Sequence, residues 1–324
     1  MKKTMTLILI LIGSILLFAC KNEPIDVEDK EIELIQDNKF EYGFLISPAD
    51  NEPQPENRYP IDYNLTYGDA EGQIAWLLGQ AGNRFGLADE YALGGKEVEY
   101  INNNYIIEDV SKKLIINPTN SEITFILNAS EEYLHPRQPK EAWPHLLLQQ
   151  GLKENVSINE LHDLVLSLNI NLNSLERSMT DEEYDSNLHT AQFLMYIVVR
   201  SNAAADAGEF MWFGIPFFDA RYNLMPENGM IDAGTSGNTG KFIYQMPQVD
   251  FMPNGLKVGQ LNEINIDLIP YFGRALILAQ EKGALLNSTI NDLYLTNMNI
   301  GYEIPGTYDI SITIQNFSLK ATKK

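Results

Sequence analysis

The stretch Leu164-Val165-Leu166-Ser167-Leu168-Asn169-Ile170-Asn171-Leu172-Asn173-Ser174-Leu175 decides the fold class. Leu164, Leu166, Leu168, Ile170 and Leu172 occupy every second position, and serine or asparagine fills most of the gaps. Successive side chains of a strand point to opposite faces, so the alternation describes a long strand with one face in a core and one in water. The same period recurs in both directions along the chain. Ile123 to Leu127, Trp143 to Gln149, Gln192 to Val199, Phe210 to Phe218, Lys241 to Tyr244, Leu293 to Met298 and Tyr308 to Leu319 are further strand runs, bounded by Gly, Pro, Asn or Asp. Gln73 to Gln80 also reads as a strand, since Gly72, Gly79 and Gly82 would weaken a helix there.

One segment keeps the helical period instead. Leu268, Ile269, Phe272, Leu276 and Ala279 recur behind Asp267, a suitable N-cap, and Gly283 follows; this predicts a packed helix over 268–282. No internal repeat or linker-like tract follows Phe40. The sequence therefore predicts an all-β fold, a two-sheet jelly-roll-type sandwich forming a single domain over 41–324.

The first forty residues read differently. Lys2 and Lys3 precede an apolar run from Leu7 to Phe18, which ends in the lipobox Leu17-Phe18-Ala19-Cys20. A spanning helix needs about 20 apolar residues and this run is shorter. Residues 1–19 are expected to be a lipoprotein signal peptide and Cys20 the lipidated N-terminus, although Phe18 stands where a smaller residue is commoner. Cys20 is the only cysteine, so no internal disulfide can form. Asp26, Glu28, Asp29, Glu31 and Glu33 make residues 20–40 an expected acidic tether.

With 44 acidic against 23 basic side chains the formal net charge is −21. Such a surface excludes nucleic acid as a partner, and anionic lipid beyond the acyl chains themselves. No G-x-S-x-G, H-E-x-x-H, P-loop or dinucleotide fingerprint occurs. What remains is a set of polar residues on strand patterns where apolar ones are the default.

Alternation puts His145 and Gln149 on one face with Trp143 and Leu147. An aromatic ring can stack on the C–H patches of a sugar while an imidazole and an amide bond its hydroxyls; a core tryptophan beside a partnered histidine is the plainer alternative. His189 and Gln192 open another strand and carry the same two readings. The aromatic run Phe210 to Phe218 is expected to be a strand buried on both faces. At its end Asp219 and Arg221 point to the same side, where an ion pair either orients a sugar hydroxyl or closes the strand.

Asn297, Asn299, Gly301 and Glu303 share one face of the penultimate strand, opposite Met298, Ile300 and Tyr302. Glu303 together with Asp219 or Asp232 would supply a glycosidase's carboxylate pair if ~5–9 Å apart. The loop from Asp232 to Gly240 is rich in hard oxygen donors. It offers ligands to Ca2+ without EF-hand spacing, or else forms a hairpin or substrate-lining loop.

The lipobox, the acidic segment behind it and the strand-rich body ending in Gly301-Tyr302-Glu303 and Tyr308 to Leu319 together resemble the lectin-like jelly-roll lipoproteins that Bacteroidetes use on polysaccharides. The resemblance implies an outer-membrane lipoprotein at the cell surface, held by its N-terminal lipid and capturing a glycan. No catalytic motif of a family matches, so no residue role is carried over. The residues leave three readings open: a glycan-binding protein, a glycoside hydrolase or polysaccharide lyase on the same scaffold, and a structural or adhesive envelope protein. For the first two, the expected site is a convergence of His145, Gln149, Asp219, Arg221 and Glu303.

Overall fold

The period-two runs become strands of two stacked sheets in the computed structural model, which describes residues 30–52, 58–68, 71–233 and 238–324. The signal segment 1–19, Cys20, the tether as far as residue 29 and residues 234–237 of the oxygen-rich loop lie outside the described residues.

Strands are numbered in chain order. An eight-stranded sheet holds β1 (Glu31–Glu33), β5 (Glu99–Ile101), β6 (Asn104–Glu108), β7 (Lys112–Asn117), β8 (Glu122–Asn128), β10 (Leu161–Arg177), β15 (Leu261–Asp267) and β17 (Tyr308–Lys323). Its order is β15-β10-β17-β8-β7-β6-β5, with β1 paired to the end of β17. A nine-stranded sheet holds β2 (Phe44–Ile46), β3 (Tyr63–Leu65), β4 (Trp76–Gly79), β9 (His145–Ser157), β11 (Gln192–Ser201), β12 (Phe210–Asp219), β13 (Asn228–Ile231), β14 (Phe242–Gln245) and β16 (Leu293–Glu303). Its order is β13-β14-β12-β11-β16-β9-β4-β2-β3. Most neighbours are antiparallel; β12 with β14 and β2 with β4 run parallel. The expected two-sheet sandwich of jelly-roll type is what forms.

The core lies between the sheets. Phe193 of β11 and Tyr302 of β16 meet Phe125 of β8 edge to face, at ring centroid distances of 5.5 and 6.2 Å, and the Tyr302 hydroxyl donates to the Phe125 carbonyl at 3.0 Å. Burying that phenol without a partner would cost about 1–3 kcal/mol, so the bond ties the two layers at a defined register. The alternating residues of β10 from Leu164 to Leu172 are buried, as their period requires.

Among the described residues two α-helices accompany the sheets, α1 (Ala129–Glu132) and α2 (Ile269–Glu281), besides short 3-10 and π turns. The expected helix over 268–282 is α2. Its Phe272 packs on Phe213 of β12 with centroids 4.4 Å apart, and it also touches β10, β13 and β14. Leu268 takes the cap position, while Asp267 Oδ1 accepts from the amides of Ile269 and Leu164, each at 3.0 Å. The carboxylate thus serves the helix start from one residue further out than expected.

The expected boundary at 41 is corrected. Glu31–Glu33 pair with β17, and Leu34, Ile35 and Phe40 are buried in the core. Glu33 accepts from the Leu319 amide, and Asp37 accepts from the amides of Glu41 and Tyr42. A tether reading of residues 31–40 weighed their acidity and missed that Leu34, Ile35 and Phe40 carry apolar surface the sandwich buries.

Candidate functional site

The nine-stranded sheet turns one face to the core and leaves the other free, and register places the free side chains in rows. One row runs Gln149 (β9), Asn299 (β16), Tyr196 (β11), Gly214 (β12) and Gln245 (β14). A second runs His145, Glu303, Gln192 and Asp219. Trp212 lies on the other side of the first row, paired with Val198 and Ile243. Met298, Ile300 and Tyr302 face the core as the sequence predicts, while on the other face Asn297 is exposed, Glu303 half-buried, and Asn299 and Gly301 buried.

Over these rows opens a cleft of about 530 Å³. Trp143, Tyr196 and Trp212 line it with aromatic surface; Asn299, Glu303 and Asp232 line it with an amide and two carboxylates. Two glycines make the geometry possible. At Gly214 a Cβ would lie 2.7 Å from Tyr196 Cε1, so the tyrosine ring lies where a side chain would have been. At Gly301, with φ of +149°, a Cβ would lie 2.0 Å from the Leu146 carbonyl oxygen, a contact only glycine avoids.

His145 is fixed from two sides. Its Nδ1 donates to the Ala81 carbonyl at 3.0 Å, and its ring stacks on Trp143 with centroids 5.7 Å apart. Nε2 then faces Glu303, 3.8 Å from Oε2. The Arg137 guanidinium lies over Trp143 at 4.7 Å while donating to the carbonyls of Glu141 and Leu188. Trp143 and His145 therefore form one wall of the cleft, with the nearly buried Arg137 packed against Trp143. On the opposite wall Trp212 meets Tyr196 edge to face at 5.9 Å, and its Nε1 donates to Thr239 Oγ1, which itself donates to Asp232 Oδ2. Burial pushes the Tyr196 phenol above its usual range, and the charges of Glu303 and Asp232 push it further, so it stays protonated as a donor.

Some of the cleft's hydrogen-bonding capacity is unspent. Asn299 is 9% exposed and its Oδ1 has no partner in the protein; Trp143 Nε1 is likewise unpartnered. Each such group costs about 1–3 kcal/mol unless something bonds it.

Of the five residues expected to converge, His145 and Glu303 line the cleft together. Gln149 stands on the same face beside Asn299. Asp219 and Arg221 do not belong to the lining, and this corrects the expected site. Asp219 is 1% exposed and accepts from Thr190 Oγ1, Gln192 Nε2 and both Nε and Nη2 of Arg221. That carboxylate is consumed in closing the end of β12. His189 is structural too, being buried with Nε2 donating to the Arg137 carbonyl at 2.8 Å and Nδ1 accepting from the Asp185 amide.

Of the two carboxylates that the sequence pairs with Glu303, Asp232 lines the cleft and Asp219 does not; Asp50 and Glu141 also reach the lining. Among the described residues no three His, Cys, Asp or Glu gather in a way that would hold a metal ion. Tyr196 was not singled out by sequence; the signal available was a lone tyrosine at an outward position of β11, opposite a glycine in the next strand. Trp212 departs from the burial expected on both faces of its run, being only half-buried where it lines the cleft.

No family model and no curated protein sequence matches the chain. Solved structures overlap it loosely. A meso-active, thermo-stable cellulase derived from Cel12A of Rhodothermus marinus is 11% identical, covering 70% of this chain and 96% of its own, at a TM-score of 0.38. The family 12 xyloglucanase of Bacillus licheniformis is 12% identical over 69% of this chain and 97% of its own, also at 0.38. The xyloglucanase domain of NopAA from Sinorhizobium fredii, in complex with cellobiose, is 11% identical over 68% and 95%, at 0.36. At these scores the overlap transfers no activity and no residue role to this chain.

Proposed function

We propose that the cleft binds a glycan and that the protein serves in polysaccharide capture. The observation that carries this reading is an open cleft in which Trp143, Tyr196 and Trp212 flank Asn299, whose Oδ1 has no partner in the protein. Pyranose rings present apolar C–H faces and a fringe of hydroxyls, so aromatic walls around an unspent amide complement them. The lipobox ending at Cys20 supports anchoring of this cleft at the outer membrane, facing the cell surface. A glycan array followed by calorimetry tests the reading. Trp212→Ala and Asn299→Ala should each weaken binding at least tenfold, and an array without a single hit would overturn it.

A second reading is hydrolysis of the bound chain, favoured by Glu303 and Asp232 lining the same cleft. One carboxyl would protonate the leaving oxygen while the other acts as nucleophile or general base. Product analysis of a bound polysaccharide decides between capture and cleavage. Fragments that vanish in Glu303→Gln and Asp232→Asn establish hydrolysis. The lyase variant loses support, because two of the groups it would draw on, His189 and Arg221, are not among the residues that line the cleft.

A further inference from the structure

The charges around the cleft are unequal. Asp50, Glu141, Asp232 and Glu303 line it against Lys140 and His145, and the whole chain carries a formal net charge of −21. Clefts lined by one sign of charge concentrate ligands of the opposite sign and repel those of the same sign. Covering several carboxylates with a neutral chain strips their water and returns nothing ionic, whereas a cationic chain replaces that water with charge-assisted hydrogen bonds.

The carboxylates come from separate segments of the lining, Asp50 and Glu141 from loops, Glu303 from the end of β16 and Asp232 from just beyond β13, and among the described residues no three His, Cys, Asp or Glu gather in a way that would hold a metal ion. Glu303 and Asp232 both bear on Tyr196, and Asp50 lies beside Gly82, whose amide it accepts. Charges distributed along a groove suit a ligand whose positive groups are distributed too. Trp212 adds a ring face, the side-chain surface that attracts cations most strongly. Independently of charge, the unpartnered Oδ1 of the nearly buried Asn299 marks the same cleft as one that receives a hydrogen-bonding ligand.

We propose that the glycan taken by this cleft is a chain of amino sugars with free, protonated amines, held by ammonium–carboxylate contacts at Glu303 and Asp232. This inference rests on the glycan-binding reading and narrows it.

The test compares three oligosaccharides of matched length by calorimetry: a fully deacetylated glucosamine oligomer, its N-acetylated counterpart and an oligouronate. At low salt the free amine form should bind at least tenfold tighter than the N-acetylated form, with the oligouronate weakest. Raising ionic strength to 0.5 M should shrink the first gap. The double variant Glu303→Gln, Asp232→Asn, with its melting temperature checked, should lose the preference for amines, the ratio of the two affinities falling toward one. A preference that persists unchanged in this variant would trace to the overall charge of the chain and overturn the proposal. Equal or better binding of the N-acetylated or uronate oligomer overturns it as well, while leaving glycan binding intact. If none of the three binds and the array is empty, the glycan-binding reading falls with it.

Discussion

Glu303 Oε2 lies 3.8 Å from His145 Nε2 across the β9–β16 ladder, and both side chains are 22% exposed in the same cleft. Because His145 Nδ1 is committed to the Ala81 carbonyl, Nε2 is the nitrogen left to face a ligand or the carboxylate. The pair is partly open to water, so its worth to folding is small, about 0–1 kcal/mol. Glu303→Gln is therefore expected to leave the urea midpoint nearly unchanged while altering ligand affinity or turnover. A large stability loss with unaltered binding would make the pair a structural clasp instead.

Arg221→Ala should behave in the opposite way. Asp219 has a side chain 0% exposed and takes two hydrogen bonds from the Arg221 side chain. Deleting the guanidinium leaves a buried carboxylate with only Thr190, Gln192 and the Arg221 amide, a loss of about 1–3 kcal/mol. Glycan affinity should be unaltered in calorimetry, because the pair lies outside the cleft lining.

Gly301→Ala is expected to destabilise by more than about 1 kcal/mol, since the new Cβ would meet the Leu146 carbonyl oxygen at 2.0 Å in a backbone conformation that only glycine tolerates. Hydrogen exchange should show the damage confined first to the β9–β16 ladder, and unchanged protection there would contradict the account.

Long strands were legible because burial on one face imposes the period-two pattern; β10 and β16 are the clearest cases, and α2 stood out by its different period. The short edge strands were not. β5 has all three residues exposed, and β13 has three of its four exposed, so neither carries an alternation to read. Alternation alone was enough to put His145, Gln149 and Glu303 on one sheet face. Asp219 and Arg221 did not join them because sequence gives the side on which a carboxylate points but not what is waiting there, here Thr190 and Gln192. Asp232 and Tyr196 reach the cleft through register and loop path, which are long-range properties.

The last expectation concerns alkali. Lys112 is fully buried, with Nζ 2.9 Å from both Asp109 Oδ2 and Glu132 Oε1 and 2.7 Å from the Phe85 carbonyl oxygen. Glu132 Oε2 accepts from the amide of Arg84, so the cluster pins the segment carrying Ala81 and Gly82 at the cleft rim. Burial works against the ammonium most strongly, yet Asp109 and Glu132 together outweigh it and raise the Lys112 pKa above the ordinary 10.5. A pKa raised in the folded state means that the native protein holds this proton more tightly than the unfolded chain does. The stabilisation is complete below pH 10.5 and is lost as pH climbs through the higher folded value. Burial raises the Tyr67 and Tyr302 pKa values as well, which adds to the alkaline loss in the same direction. Urea midpoints should therefore stay level from pH 7 to about 10 and fall above it. Lys112→Met should lower stability by about 3–5 kcal/mol at neutral pH, because it strands two buried carboxylates, and its alkaline fall should be shallower, with only the tyrosines left to titrate. A wild-type midpoint that already declines between pH 7 and 9, or an alkaline fall of the same steepness in Lys112→Met, would remove Lys112 as its cause.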